Sequence, residues 1–499
     1  MVESIAMVGS GICRCDAPNL MPLGAHPPPE AAGVCRCRTG GQPVRTEPSD
    51  GLGYTRLAGR RRPALTRCPD IAQREEPMTQ TRRTFLQTTS KFSFAAAGLL
   101  PTGMRALAGE SETGLLHDSL VIAPQRGVQE VTTVNAPGGR YWMFLGEKGR
   151  LLRKDSGDGG RNWSKSVPQK TAEGDSIPLA RDTPHLTLLK LKSGRLAIVY
   201  GGPVTRPGRD GTTLFRTSTD GGKTWSEATP VDPLFAVCRT QAARVLSTGR
   251  IVVPVMKWIS PFTGGDSEGA NKNLTFSWVY YSDDEGKTWK RSLSELFVSL
   301  DEGRRGVTHF EETVLEELPD GRLFMLGRTE LGQFYKTYSS DKGVSWKHPV
   351  PTGLASSYAP GTLVRIPGTT DLMLVWNQVS EAEILTGLHR HRLSTAVSTD
   401  HGETWKHFRN LESLDDRTRI AAPKGKPRVI RMKKYGYRAP GKKDYPHAPG
   451  CLRICYATVA FSGREVAVTY DYGYGVKEFE KKSATRIKVL SRDWLYGRG

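Results

Sequence analysis

An eight-residue pattern, S-x-D-x-G-x-[TSN]-W, recurs five times in this chain, and nothing else in the sequence narrows the fold as far. The copies are Ser156–Trp163, Ser218–Trp225, Ser282–Trp289, Ser339–Trp346 and Ser398–Trp405. Their tryptophans stand 62, 64, 57 and 59 residues apart, so one unit of about 60 residues is repeated. Within each copy, Asp followed two residues later by Gly is turn chemistry. The carboxylate accepts hydrogen bonds from backbone N–H groups, and Gly supplies positive φ. Ser caps the same turn, and Trp buries a large ring beside it. Five equivalent catalytic carboxylates make no chemical sense, so Asp158, Asp220, Asp284, Asp341 and Asp400 are read as structural.

Between the copies lie short apolar runs around turns. Leu186–Leu191 and Leu196–Tyr200 flank Ser193-Gly194-Arg195, while Val245-Leu246 and Ile251–Val255 flank Thr248-Gly249-Arg250. Val314-Leu315 and Leu323–Leu326 flank Asp320-Gly321-Arg322. Each unit therefore reads strand, turn, strand, variable loop, strand, box, strand, with little helical periodicity. Four strands per unit at this period argue for an all-β β-propeller of four-stranded antiparallel blades, each burying its faces against its neighbours. From Gly109 onward, with the basic segment 417–450 set aside as an insertion, the length fits six blades. One of the six lacks a recognisable box.

The first 108 residues differ in character. Thr81-Arg82-Arg83-Thr84-Phe85-Leu86 is a twin-arginine export pattern, followed by the apolar stretch 92–100 and the small residues Ala106-Leu107-Ala108. Residues 78–108 are thus expected to be a signal peptide, and the chain to be exported to the periplasm or beyond. Residues 1–77 are expected to be an upstream extension of the reading frame, or disordered. They hold Cys13, Cys15, Cys35, Cys37 and Cys68, the first four in two C-x-C pairs, which do not match structural zinc spacing. No metal and no cofactor is expected. No run of 18 apolar residues exists, so no spanning helix is expected.

The chain carries a net charge of +20. From Arg417 to Lys443 there are eleven basic residues and no acidic one. This segment reads as a solvated surface loop or as an attractor of an acidic glycan or anionic surface; for an exported protein, nucleic acid is not an expected partner.

The five boxes resemble the Asp-box (BNR) repeats of the sialidase/neuraminidase superfamily, six-bladed propellers, over roughly residues 115–499. The resemblance implies an exo-α-sialidase type of retaining glycoside hydrolase acting on an acidic glycan or sialoglycoconjugate. In that family an arginine triad grips the sugar carboxylate, and a tyrosine assisted by a glutamate attacks in place of an anionic nucleophile. Glu311-Glu312-Thr313-Val314-Leu315, running through Asp320-Gly321-Arg322 to Arg328, resembles the family's Glu-bearing strand and following arginine. That implies Glu311 as base, with Glu312 as rival, and Arg328 in the triad.

Arg390, with Arg392 as rival on the same face by alternation, precedes the fifth box where the last triad arginine belongs. Cys455-Tyr456-Ala457-Thr458-Val459 resembles the strand of the nucleophile, which implies Tyr456, ahead of Tyr470 and Tyr472. Arg181-Asp182-Thr183-Pro184 stands at the first arginine motif with Asp-Thr in place of Ile. Asp210 stands near the acid/base position. Two alternatives remain: a noncatalytic carbohydrate-binding propeller, and a glycosidase or lyase on another acidic or sulfated sugar.

Overall fold

Short apolar strands around glycine turns build six antiparallel sheets. The computed structural model describes residues 6–8, 11–13, 115–124, 131–179, 183–203, 212–232, 237–258, 274–430, 452–474 and 484–498. The chain divides into two units, Met1–Pro101 and Thr102–Gly499. In the first unit, Ala6–Val8 pairs antiparallel with Gly11–Cys13. The twin-arginine stretch, the small residues 106–108, Arg181, Asp210 and residues 431–450 lie outside the described residues.

The second unit is a six-bladed β-propeller. Blade 1 runs from its inner strand Thr132–Asn135 through Tyr141–Glu147 and Arg150–Ser156 to Val167–Pro168. Blade 2 comprises Thr187–Lys190, Leu196–Gly201, Thr213–Ser218 and Thr229–Pro230. Blade 3 has a broken inner strand, Val237–Cys238 and Arg244–Val245, then Ile251–Trp258, Thr275–Ser282 and Lys290–Arg291. Blade 4 is Glu311–Glu317, Leu323–Arg328, Gln333–Ser339 and Val350–Ala355. Blade 5 is Thr362–Arg365, Leu372–Asn377, Arg392–Ser398 and Lys406–Ser413. Blade 6 joins Leu452–Ser462, Glu465–Tyr474 and Ala484–Ser491 to Leu115–Pro124, which pairs antiparallel with Ala484–Ser491 as the outer strand. The ring is closed by backbone hydrogen bonds between distant parts of the chain, which removes a free sheet edge.

The box turn is built alike in all five copies. Ser Oγ donates to its Asp at 2.7–2.9 Å and accepts from the box Gly N–H at 2.8–2.9 Å. The same Asp accepts from the backbone N–H four residues on. Burial alone would raise the Asp158 and Asp284 carboxyls, but these donors outweigh it and hold both down at about 2. The residue before each box Gly also has positive φ, at Glu285, Lys342 and His401 as well as Gly159 and Gly221. The box glycines touch the preceding blade: a Cβ on Gly222 would strike the Trp142 ring, one on Gly286 the Phe215 ring, and one on Gly402 the Phe324 ring. The repeat is thus an inter-blade joint as well as a turn. Blade 6 is the one without a box. Its third strand ends in the short helix Arg492–Leu495, whose Ser491 cap accepts from Trp494 N–H at 3.1 Å.

In antiparallel blades the first-to-second and third-to-fourth connections share one face of the ring. The boxes and the Gly-Arg hairpins lie there. The opposite face receives the start of each inner strand, the end of each second strand and the start of each third. Glu311, Arg328, Arg390 and Tyr456 all belong to that opposite face.

Candidate active site

Two inner strands carry the same irregularity near that face. In blade 4, Glu311 pairs with Arg328 and Val314 with Leu326, so one extra residue is accommodated between them. In blade 6, Cys455 pairs with Asp471 and Thr458 with Thr469, again with one extra residue. The extra residues include Glu312, at φ 44°, and Tyr456, at φ 55°, both in the left-handed region that side chains seldom enter. A β-bulge re-aims a side chain out of the alternating pattern, and here both bulges lie at the mouth of the ring.

Below them the axis is bridged by side chains from blade 3. Gln241, also at positive φ, donates to Thr133 O at 2.9 Å and to Val459 O at 3.0 Å, and accepts from Val459 N–H at 2.9 Å. It therefore ties blade 3 to blades 1 and 6, beside the Tyr456 bulge. Arg244 bonds Glu316 of blade 4 at 2.7 Å and Leu363 O of blade 5 at 2.7 Å. Thr362 Oγ1 donates to Ala457 O within the bulge itself. These contacts tie the inner strands of blades 1, 3, 4, 5 and 6 to one another.

Arg328 is buried, with its guanidinium shared between two carboxylates. Its Nε lies 2.8 Å from Glu311 Oε1, Nη2 reaches the same oxygen, and Nη1 lies 2.5 Å from Glu312 Oε2. The Tyr358 ring is stacked on it at 3.9 Å. Burial would lower the Arg328 pKa, but Glu311 and Glu312 overcome that and hold it well above the ordinary value. Glu311 is fully buried and accepts from Thr275 Oγ1 at 2.8 Å. Its burial would raise its pKa, yet Arg328, with His309 and Tyr358, holds it below the ordinary value. The His309 ring lies 4.9 Å from that of Tyr358.

Arg390 and Arg392 part company. Arg390 lies over the Tyr456 ring at 5.0 Å and donates to Cys455 Sγ at 3.3 Å. Arg392, fully buried, turns to Glu383 at 3.1 Å and Asp415 at 2.6 Å. The third strand starts only at Arg392, so strand alternation does not reach back to Arg390, and the expectation that both share a face fails for that reason. His389 is pushed down to about 3 by burial and by Arg390, and is neutral.

Arg390 stands over the Tyr456 ring, and Arg328 acts electrostatically on both, so residues of blades 4, 5 and 6 gather at the mouth of the ring. Arg239 of blade 3 joins them, its guanidinium over the Tyr456 ring at 4.7 Å. The sequence reading passed over Arg239, Gln241 and Tyr358. Arg239-Thr240-Gln241, a polar triplet where an inner strand should be apolar, was the available signal. Tyr470 is buried and bonds Glu412 at 2.6 Å, while Tyr472 lies under Arg486 at 3.5 Å.

Glu383, His391 and Asp415 place ligand atoms within 4.8 Å of one another. Arg392 and Arg417 already share those carboxylates, so the cluster is a charge network rather than a cation cage. It also anchors the basic insertion. Gln378 bonds Thr418 O and Ile420 N–H at 2.8 and 2.7 Å, Arg305 bonds Pro427 O at 2.6 Å, and Ile430 N–H bonds Glu330 O at 2.8 Å. The described part of the insertion is therefore strapped across blades 4 and 5, with most of its residues exposed. Cys238 and Cys455 are free thiols. Among the described residues no helix is long and apolar enough to cross a membrane.

The family model for the BNR repeat-like domain matches residues 202–472. No curated protein matches the chain. Among solved structures, a protein of unknown function from Dyadobacter fermentans is 17% identical, covering 75% of this chain and 98% of its own, with a TM-score of 0.48. Trypanosoma rangeli sialidase is 15% identical over 74% of this chain and 56% of its own, TM-score 0.45; this chain thus spans a little over half of that protein's length. The NanB sialidase of Streptococcus pneumoniae is 11% identical over 76% and 71%, TM-score 0.48. On the family match, and with the six-bladed ring and its five box turns, this chain belongs to the BNR repeat-like domain family.

Proposed function

We propose that this propeller is a glycosidase of the exo-α-sialidase type, with Tyr456 as nucleophile. The observation that carries this reading is the Arg390 guanidinium over the Tyr456 ring at 5.0 Å, on the same face of the ring as Arg328 and its two glutamates. A sugar whose anomeric carbon bears a carboxylate repels an anionic nucleophile, and a phenol among guanidiniums answers that problem. Glu311 and Glu312 supply the base. Glu312 sits on the bulge that corresponds to that of Tyr456 and is the less buried of the two, so we assign the proton transfer to it and the counter-ion of Arg328 to Glu311. Attack by Tyr456 on the anomeric carbon would form a tyrosyl–sugar bond while the aglycone leaves with a proton. Water would then cleave that bond, with retention. Asp210 and Arg181 keep the acid/base and first-arginine roles that the resemblance implies. The twin-arginine pattern would deliver the enzyme outside the cytoplasm, which mutating Arg82-Arg83 to Lys-Lys and fractionating the cells would test.

The direct test is turnover of a fluorogenic α-sialoside. The native chain should hydrolyse it, and Tyr456→Phe should lower kcat by about 10⁴-fold or more. Binding of sialosides on a glycan array without turnover would favour a binding module. Turnover confined to uronic or sulfated glycans would favour the other acidic-sugar reading.

A further inference from the structure

The inner strand of blade 6, Leu452–Ser462, pairs among the described residues with Glu465–Tyr474 alone, so its other edge faces the axis without a ladder partner. Backbone groups on such an edge must be satisfied elsewhere. Other blades supply what they need. Asn135 of blade 1 accepts from Phe461 N–H and donates to Phe461 O, and Gln241 of blade 3 does the same at Val459. Thr362 Oγ1, on the inner strand of blade 5, donates to Ala457 O. Asn377, at the end of the second strand of blade 5, donates to Ile454 O at 2.8 Å, while the Arg390 carbonyl accepts from Ile454 N–H at 2.8 Å.

Phe461, Val459 and Ala457 reach this edge at every second residue, as strand alternation requires. Ile454 comes next, three residues further on, and Tyr456 at φ 55° lies inside that long step. Thr362 and Asn377, both buried, therefore hold the two ends of the bulge. Asn377 also donates to Arg392 O at 2.9 Å, so one amide ties the strand of Tyr456 to the segment that carries Arg390. A slip of the strand by one residue would return Tyr456 to alternation and leave a buried amide or hydroxyl without its acceptor.

We propose that Asn377 and Thr362 are positioning residues for Tyr456, fixing the bulge that carries it and its place relative to Arg390. Their part in turnover rests on the glycosidase reading above; the clamp on the bulge does not.

The test is fluorine NMR of the full chain labelled with fluorotyrosine, run beside sialoside kinetics. The Tyr456 resonance is identified by its loss in Tyr456→Phe. That of Tyr281, which lies on the box face under Arg250, is identified by its loss in Tyr281→Phe. Asn377→Asp sets a carboxylate against two carbonyl oxygens, and Thr362→Val keeps the shape but removes the hydroxyl. Both should move the Tyr456 resonance and leave that of Tyr281 in place. With KM little changed, kcat should fall by about 10²-fold in Asn377→Asp and about tenfold in Thr362→Val, as for a misplaced reacting group. Thr362→Ser, which keeps the hydroxyl, should bring both readouts back toward native values. Should Asn377→Asp not fold, the two Thr362 variants decide alone. A native chain without turnover overturns the nucleophile reading, while a moved Tyr456 resonance still upholds the clamp. The clamp is overturned if that resonance stays in place in the folded variants. The positioning role is overturned if the resonance moves and kcat stays native.

Discussion

The two faces of the ring pair their carboxylates by different means. On the box face, Asp158 and its four counterparts are satisfied within eight residues, by a serine hydroxyl and backbone N–H groups of their own turn. On the opposite face, Glu311 and Glu312 are satisfied by a guanidinium at the end of another strand, and the neighbouring Tyr456 is approached from blades 3 and 5. Local satisfaction makes a module that can be copied five times. Satisfaction between strands and between blades makes a site that occurs once, because its members depend on different parts of the chain being in place.

Changes on each face would break or sharpen that contrast. The largest effect is expected at the two glutamates. Glu312→Gln should lower sialoside kcat by about 10²–10⁴-fold with the fold intact. Glu311→Gln should instead destabilise the protein by about 3–5 kcal/mol, since it leaves a buried guanidinium short of a partner. Urea unfolding with parallel kinetics separates the two, and equal stability losses would collapse the distinction between them.

On the box face, Gly286→Ala forces a methyl group into the Phe215 ring at a positive-φ position. A loss of about 1–3 kcal/mol is expected, read as a lower urea midpoint, whereas Gly303→Ala, with open space around its Cβ, should cost less.

Acid should act on the boxes in a defined window. The Asp158 and Asp284 carboxyls are held at about 2 against an ordinary 3.8, so they bind protons more weakly folded than unfolded. Their contribution to stability is whole above the unfolded value and is lost as pH falls through about 2. Melting temperature measured from pH 5 to pH 2 should decline in that window, and the double variant Asp158→Asn, Asp284→Asn should flatten the decline. The smallest effect belongs to the exposed pair Arg304–Glu302, where Arg304→Ala should change stability by no more than about 1 kcal/mol.

Much of the architecture was legible before any coordinates. Turn chemistry is local: Ser, Asp, Gly and Trp at fixed offsets satisfy one another without help, so their recurrence announced the blades, their number and the one blade without a box. The Gly-Arg hairpins were legible for the same reason. The candidate site was legible only through resemblance, and unevenly. Glu311, Arg328, Arg390 and Tyr456 were named, but Arg392 was placed on the wrong face because alternation was extended beyond the end of its strand. Arg239 and Gln241 went unseen, since nothing in their own neighbourhood demands a partner 218 residues away.

Composition and spacing by themselves determined a ring of repeated sheets, because every contact that defines the repeat lies within one unit or the next. Tertiary structure alone decided which guanidinium meets which acid. That choice depends on bulges that turn Glu312 and Tyr456 out of register and on a ring closed by a strand from the far end of the chain. Only with the ring closed do residues separated by hundreds of positions come together at its mouth, where their charges are buried and must be balanced.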